Sequence, residues 1–401
     1  MQPAATRVDP KALDAFVKAL GTRAWKDRVA ALTRAGTLQT RAGRDTLQRH
    51  CIELTIERLR SRPPPRPPSI AERWIASFAA TAVETLATLT PIGREALLAM
   101  LRAAMTGKGC LVAPFHLLRT AAMQRARGFA VHFAALEDAA PFDLLIERNG
   151  VEAEIACDMI SAEDGRGVHR GAWFTLMDRV DPELQTWLRA HPGRYILKMT
   201  LPKGLRTGGD HDLLATLHAR ITDMLKTRRH ADGDEAAMLR LDPLILAAAQ
   251  ADELGLMPRL RQEFGPEAHL SVTTAGGGVF VMAARSGQEN DVAQAFRRRL
   301  DAVAPARLTG TRPGILAMFI EDTDKAEWRG LREKLTLEGE TRQFMTHPEA
   351  RSVVAVTCTS RLELFGLPAP DAEAEGELRF RNPAHPAAKT EALAPAVLSS
   401  T

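Results

Sequence analysis

The chain of 401 residues is 45% hydrophobic and carries 53 lysines and arginines against 49 acids, a formal net charge of +4. That length exceeds what one hydrophobic core usually serves, so two or three folding units are expected. The most apolar helical stretches, near residues 75–89 and 97–105, still hold Glu84 and Arg102, which argues against a membrane span, and the opening Met1-Gln2-Pro3-Ala4-Ala5 has no apolar segment of the kind that directs secretion.

Asp9-Pro10 opens the first predicted helix, with Asp9 as N-cap, Pro10 at the first helical position, and Leu13, Phe16, Val17 and Leu20 at helical spacing. Helices over 25–34 and 44–61 follow, and residues 1–61 are read as a basic helical module whose arginines include Arg28, Arg41, Arg44, Arg49 and Arg58. Such a face either holds nucleic-acid phosphates or is a solvated surface in an arginine-rich chain. Aromatic residues are scarce there, so base stacking has no support. The run Arg62-Pro63-Pro64-Pro65-Arg66-Pro67-Pro68 lacks backbone donors and excludes the α conformation, which makes 62–69 a semi-rigid spacer.

Helices over 70–89 and 92–106 form a connector, residues 70–106, ahead of an α/β core expected from 107 to 366. Within that core the pattern predicts a strand at 110–112, an amphipathic helix at 115–126 and a strand at 130–136. Further on it predicts helices at 173–180 and 182–189, a strand at 194–200 and a helix at 213–228. Strands at 270–274 and 279–284 flank a Gly276-Gly277-Gly278 hairpin turn. A helix at 291–302, a strand at 314–320, a helix at 326–335 and a strand at 352–358 complete the core. Residues 367–401 are dominated by Ala, Pro and Glu and are expected to be a disordered tail.

The most informative stretch is Pro141–Ser161. Phe142, Leu144 and Ile146 alternate on one face of a predicted strand, leaving Asp143 opposite. Asn149-Gly150 is a strong hairpin signal, and in the returning strand Glu152, Glu154, Ala156 and Asp158 fall on one face. Two paired strands that present Asp143 and Glu154 to the same side are how a hydrolase collects a divalent cation.

The order helix, strand, aspartate strand, acidic strand, helix, strand resembles the core of the PD-(D/E)xK, restriction-endonuclease-like nucleases. Phe142-Asp143 matches the first half-motif, and Ala156-Cys157-Asp158 stands where that family has Glu-x-Lys. Gly165-Arg166-Gly167-Val168-His169 is similar to the glycine and arginine stretch that often follows, and the later strands at 312–317 and 352–356 suit members with sheet extensions. The resemblance implies a mixed-sheet α/β core with catalytic positions at Asp143, Glu154 and Asp158. It also implies a Mg²⁺ site at Asp143 and Glu154 if the protein is active, and nucleic-acid contacts from Arg166, His169 and Arg170; Arg41 and Arg44 of the basic helical module are further candidate nucleic-acid contacts. Ala156 cannot ligate a metal, and Asp158 puts negative charge where the family uses a lysine.

The expected function is therefore a nucleic-acid-associated protein, acting on DNA in the first instance, of nuclease ancestry with weak or lost Mg²⁺-dependent phosphodiester hydrolysis. The alternative is a catalytically inactive scaffold or regulator that works through protein partners, as in a bacterial mobile-element or phage-defence setting. Other constellations are poorer. Cys51, Cys110, Cys157 and Cys358 form no Cys-x-x-Cys pair, so neither a disulfide framework nor a zinc site is indicated and a cytoplasmic setting is expected. Asp210-His211 has no second histidine at ligand spacing, and no Gly-x-Ser-x-Gly element marks a serine hydrolase.

Overall fold

The computed structural model describes residues 8–37, 40–61, 67–107, 109–206, 211–244, 259–260, 263–264, 268–288, 290–323, 325–360 and 377–399. Most of the expected proline spacer, residues 62–66, and the Gly208-Gly209-Asp210 loop lie outside them. The protein is α/β with two mixed sheets and divides into two compact units. One comprises residues 1–37, 46–162 and 293–401, and the other residues 38–45 and 163–292. The expected continuous core over 107–366 is thus interrupted by a second unit with its own sheet.

The first unit opens with α1 (Pro10–Leu20), α2 (Thr22–Thr37), the end of α3 (Arg41–Arg49) and α4 (Cys51–Ser61). α5 (Ile70–Thr88), α6 (Pro91–Ala104) and α7 (Val112–Ala126) follow. Local chemistry sets several of these ends. The Asp9 carboxylate accepts from Lys11 N at 2.9 Å ahead of Pro10, and Ser69 and Glu72 form a reciprocal capping box at the start of α5. The N-terminal helices are not a separate module. Leu13, Phe16, Trp25, Ile52 and Ile56 are fully buried in the same apolar cluster as Phe115, Ile155 and Ile315. Edge-on contacts of Phe16 with Trp25 and with Phe78, at 6.0 and 5.5 Å, stitch that cluster together.

The sheet of this unit is built from β1 (Ala130–His132), β2 (Leu144–Arg148), β3 (Val151–Ser161), β4 (Gly314–Glu321), β5 (Val353–Ser360) and β6 (Leu378–Arg381), in that spatial order. β1, β2 and β3 run antiparallel, β3, β4 and β5 run parallel, and β6 returns antiparallel to β5. Asn149 and Gly150 take φ of +53° and +76°, the left-handed pair of a type I′ turn. A short helix, α8 (Ala134–Glu137), separates β1 from β2. Between β3 and β4 the chain returns from the second unit through α9 (Val292–Arg307). α10 (Lys325–Glu333) and α11 (Thr336–Phe344) connect β4 to β5, and α12 (Ala394–Val397) closes the described chain.

Several expectations are corrected here. Residues 110–112 form no strand; Leu111 leads directly into α7, which is buried along most of its length and carries buried His116, Arg119, Thr120 and Gln124, so it is not amphipathic. The strand expected over 130–136 stops at His132. The helix expected over 326–335 is α10, which ends at Glu333, and a further helix, α11, begins after Leu335 at φ +55°. The expected disordered tail is ordered over 377–399: β6 pairs with β5, and Leu393, Ala396 and Val397 are fully buried. Backbone pairing and four small or medium apolar side chains (Ala392, Leu393, Ala396, Val397) anchor a segment whose overall composition looks too polar to fold.

In the second unit a long helix over Arg170–Ala190 packs with a helix over His211–Thr227 on a five-stranded sheet. Trp173, Leu176, Leu184, Leu217, Ile221 and Phe280 form its core. The two helices expected at 173–180 and 182–189 are one continuous helix with Pro182 inside it. Its sheet contains the expected strands Arg194–Leu201, His269–Ala275 and Gly278–Ser286, the last two joined through Gly276 and Gly277 at φ +57° and +77°. No described helix is long and apolar enough to cross a membrane.

Candidate functional site

Asp143 sits one residue ahead of β2, and its N–H donates to Ile155 O at 2.9 Å. The register pairs Leu144 with Ile155 and Leu145 with Glu154, and Asp143 lies one residue beyond the last pair, so that alternation turns it to the face Ala156 takes on β3. Residues directly opposite in an antiparallel pair share a face, and alternation along β3 adds Glu152, Glu154 and Asp158 to that face. The hairpin therefore brings Asp143, Glu154 and Asp158 together. Ala156, the next residue of β3 beyond the Leu144–Ile155 pair, has no side-chain atom that could ligate a metal.

Every acid on this face has a cation or a hydroxyl of its own. The Asp143 carboxylate accepts from Cys157 N at 2.6 Å and from Arg307 Nη2 at 2.8 Å. Asp158 accepts from Arg299 Nε at 2.5 Å and Nη2 at 2.9 Å. Both arginines come from α9. In the loop after it, Thr309 N donates to Glu154 at 2.8 Å and the Thr309 hydroxyl donates to the other oxygen of the same carboxylate. Arg312 bonds Glu152 at 2.6 Å and stands 3.7 Å from Glu154. Glu154, expected on a partly exposed face, is fully buried.

Burial raises the Asp143 carboxyl above its usual range; the Arg307 charge and the Cys157 N–H oppose that rise, and Asp158 adds to it. Burial and Asp143 push the Cys157 thiol well above its ordinary value, while the Thr120 hydroxyl opposes. Cys157 is thus no ready nucleophile. These donor sets do not fit Mg²⁺. A hard cation needs several open carboxylate oxygens and water positions. Here both Glu154 oxygens take Thr309 hydrogens, Asp143 is shared between an amide and a guanidinium, and three arginines already supply the positive charge.

Arg166, His169 and Arg170 belong to the second unit. Arg166 is buried and paired with Glu163, whose second oxygen accepts from Arg170 N at 2.5 Å. His169 precedes the helix that starts at Arg170, and its N–H bonds Leu205 O at 2.8 Å. The glycines around them serve close packing. A Cβ on Gly165 would lie 2.5 Å from Val292 Cα, and one on Gly204, at φ +78°, would lie 2.1 Å from Gly167 O. Arg41 is held by Asp178 and Asp181 within the second unit, at 3.6 and 3.5 Å; the side chain of Arg44 lies outside the described residues. In the first unit Arg28 bonds the carbonyls of Gly107 and Gly109, and Arg58 and Arg60 pair with Glu72 and Glu57. These arginines clamp groups of their own unit.

Sequence reading missed Arg299, Arg307, Thr309 and Arg312. Arg297-Arg298-Arg299 reads as a helix-dipole cluster, and only the 8-residue step from Arg299 to Arg307, within one helical stripe, hints at a shared partner. A second feature of the first unit is an open cavity of about 380 Å³ near the carboxyl ends of β3 and β4, lined by Arg49, Met100, Cys110, Pro114, Met159 and Glu321. Next to it the Asp322 carboxylate accepts from Ser161 Oγ at 2.6 Å and Arg49 Nη2 at 3.3 Å. In comparisons with known proteins, no family model, no curated protein and no solved structure matches the chain.

Proposed function

We propose that the chain is a nucleic-acid-associated protein of PD-(D/E)xK nuclease ancestry that has lost metal-dependent hydrolysis and acts as a binding scaffold. Part of the expected order supports the ancestry: helix α7, strand β1, Asp143 leading into β2 and the acidic strand β3; the helix over Arg170–Ala190 and the strand over Arg194–Leu201 that come next in the chain belong to the second unit, and the strand parallel to β3 is β4. The loss rests on one observation. Ala156 offers no ligand on the face that carries Glu154 and Asp158, while Arg307 and Arg299 occupy the carboxylates of Asp143 and Asp158. Hydrolysis of a phosphodiester by this class of site needs a cation to activate water and to carry the developing charge. Arginine can bind a phosphate, but it cannot lower the pKa of a bound water as a metal does, and here it is spent on an acid.

Incubation of the full chain with plasmid DNA and with structured RNA, in Mg²⁺ and in Mn²⁺, tests both parts. The expected result is salt-dependent binding without cleavage. Divalent-dependent cleavage that disappears in Asp143→Ala would overturn the loss of hydrolysis. Absence of binding to DNA and RNA at low salt would overturn the nucleic-acid role and leave a scaffold that works through protein partners.

A further inference from the structure

A second group of ligand-type side chains lies in the first unit, away from the residues that meet Asp143. Asp301 on α9, His347 in the turn after α11 and Glu349 two residues later place their ligand atoms within 4.8 Å of one another. His347 Nδ1 is 2.9 Å from Asp301 Oδ1. The turn that carries two of the three is firmly set. His347 N donates to Phe344 O at 2.8 Å and Ala350 N donates to His347 O at 3.1 Å. Phe344 and Ala350 on either side are buried in the interior, and Arg297 on α9 bridges to Glu340 on α11 at 2.9 Å.

The charge balance here differs from that around Asp143. There each carboxylate meets an arginine or a threonine; here two carboxylates converge, and among the described residues neither has an arginine or lysine within ion-pair distance. The imidazole of His347 is the third member of the group. Convergent carboxylates without a cation repel one another, and a bound cation removes that cost. One imidazole nitrogen with two carboxylate oxygens is a borderline donor set, which favours Zn²⁺ among common divalent ions over Mg²⁺, whose sphere is built from oxygen and water.

We propose that Asp301, His347 and Glu349 form a binding site for a divalent transition-metal cation, Zn²⁺ in the first instance, with the remaining coordination positions filled by water. Binding through Nδ1 displaces the proton now shared with Asp301, and the ion takes its place between the two groups. Ligand distances of about 2.0–2.2 Å call for the three donor atoms to lie roughly 3–4 Å apart, so small side-chain rotations suffice. The ion would tie α9 to the turn after α11. The site is independent of the nuclease reading, because it shares none of the residues that meet Asp143, Glu154 or Asp158.

Titration of the untagged full chain with Zn²⁺ after treatment with EDTA tests this by calorimetry, with Co²⁺ absorbance as a second readout of the histidine ligand. The expected result is one saturable equivalent and a raised melting temperature. His347→Gln and Asp301→Asn should each weaken binding roughly tenfold or more and abolish the Co²⁺ bands. His132→Gln, which removes an exposed histidine paired with Asp138 elsewhere, should change neither. Glu349→Gln alters an exposed side chain and so keeps the test valid if the other variants fold poorly; it too should weaken binding. No saturable binding by the wild type, or binding that survives in His347→Gln and Glu349→Gln alike, would overturn the site.

Discussion

Asp158 is gripped at both carboxylate oxygens by Arg299, through Nε at 2.5 Å and Nη2 at 2.9 Å. The positive charge that meets this acid comes from the facing helix α9. A guanidinium matches a carboxylate in two-point geometry and fixes orientation as well as charge. The pair works as a clasp between β3 and α9. Because Arg299 is half exposed, solvent screens much of the attraction.

Asp158→Ala and Arg299→Ala should each lower stability modestly, and the double variant should lose less than the sum. The coupling should be about 1 kcal/mol in low salt and smaller in high salt. Urea denaturation of the four proteins at two salt concentrations measures it. Additive losses at both would show that the clasp contributes nothing beyond two separate surface contacts.

Grafting the family motif, Ala156→Glu with Asp158→Lys, should destabilise the protein and give no cleavage. Ala156 has no exposed surface, so a glutamate there forces its chain and charge into a packed interior. A lysine at 158 would also face Arg299. The expected loss is about 3 kcal/mol or more, set mainly by the buried glutamate. Thermal melts and plasmid cleavage in Mg²⁺ read the two outcomes; a stable graft that cuts would show that the face retains room for a metal.

Much of this arrangement was legible in the sequence because it rests on short-range rules. Strand alternation and the Asn149-Gly150 turn dictate that Asp143, Glu154 and Asp158 share a face, and the structure has that hairpin. What lies opposite the acids was not legible. Arg299 and Arg307 are 141 and 164 residues from Asp158 and Asp143, and an intervening unit separates them in the chain. No local periodicity reports such a pairing. The N-terminal helices were misread for a related reason. A run of arginines looks solvated in sequence, yet Arg28 donates to two carbonyls more than 75 residues away while Phe16 and Trp25 are fully buried. Composition also misled at the C-terminus, where pairing with β5 orders residues that have little apolar mass.

The last prediction concerns His116 on α7, a buried histidine whose Nε2 donates to Ala317 O at 2.8 Å and whose ring lies 5.5 Å from that of Phe319. Its Nδ1 is buried and has no hydrogen-bond partner among the described residues. Burial lowers its pKa from 6.5 to about 4, with the Arg119 charge acting in the same direction and the Ala317 carbonyl and Asp158 opposing. The folded protein thus holds this ring neutral, while the unfolded chain takes up a proton as the pH falls through 6.5. Stability from this source is intact above that value, declines as the pH drops toward 4, and levels off below it. At about pH 5 the loss should be roughly 2 kcal/mol relative to neutral pH. His116→Gln keeps a donor for the Ala317 carbonyl but cannot titrate. The wild type should therefore be the more stable protein near neutral pH, and its advantage should shrink or reverse between pH 7 and about 5. Urea midpoints of both proteins across that range decide the matter. A constant difference between them would mean that His116 does not titrate differently in the folded and unfolded chains.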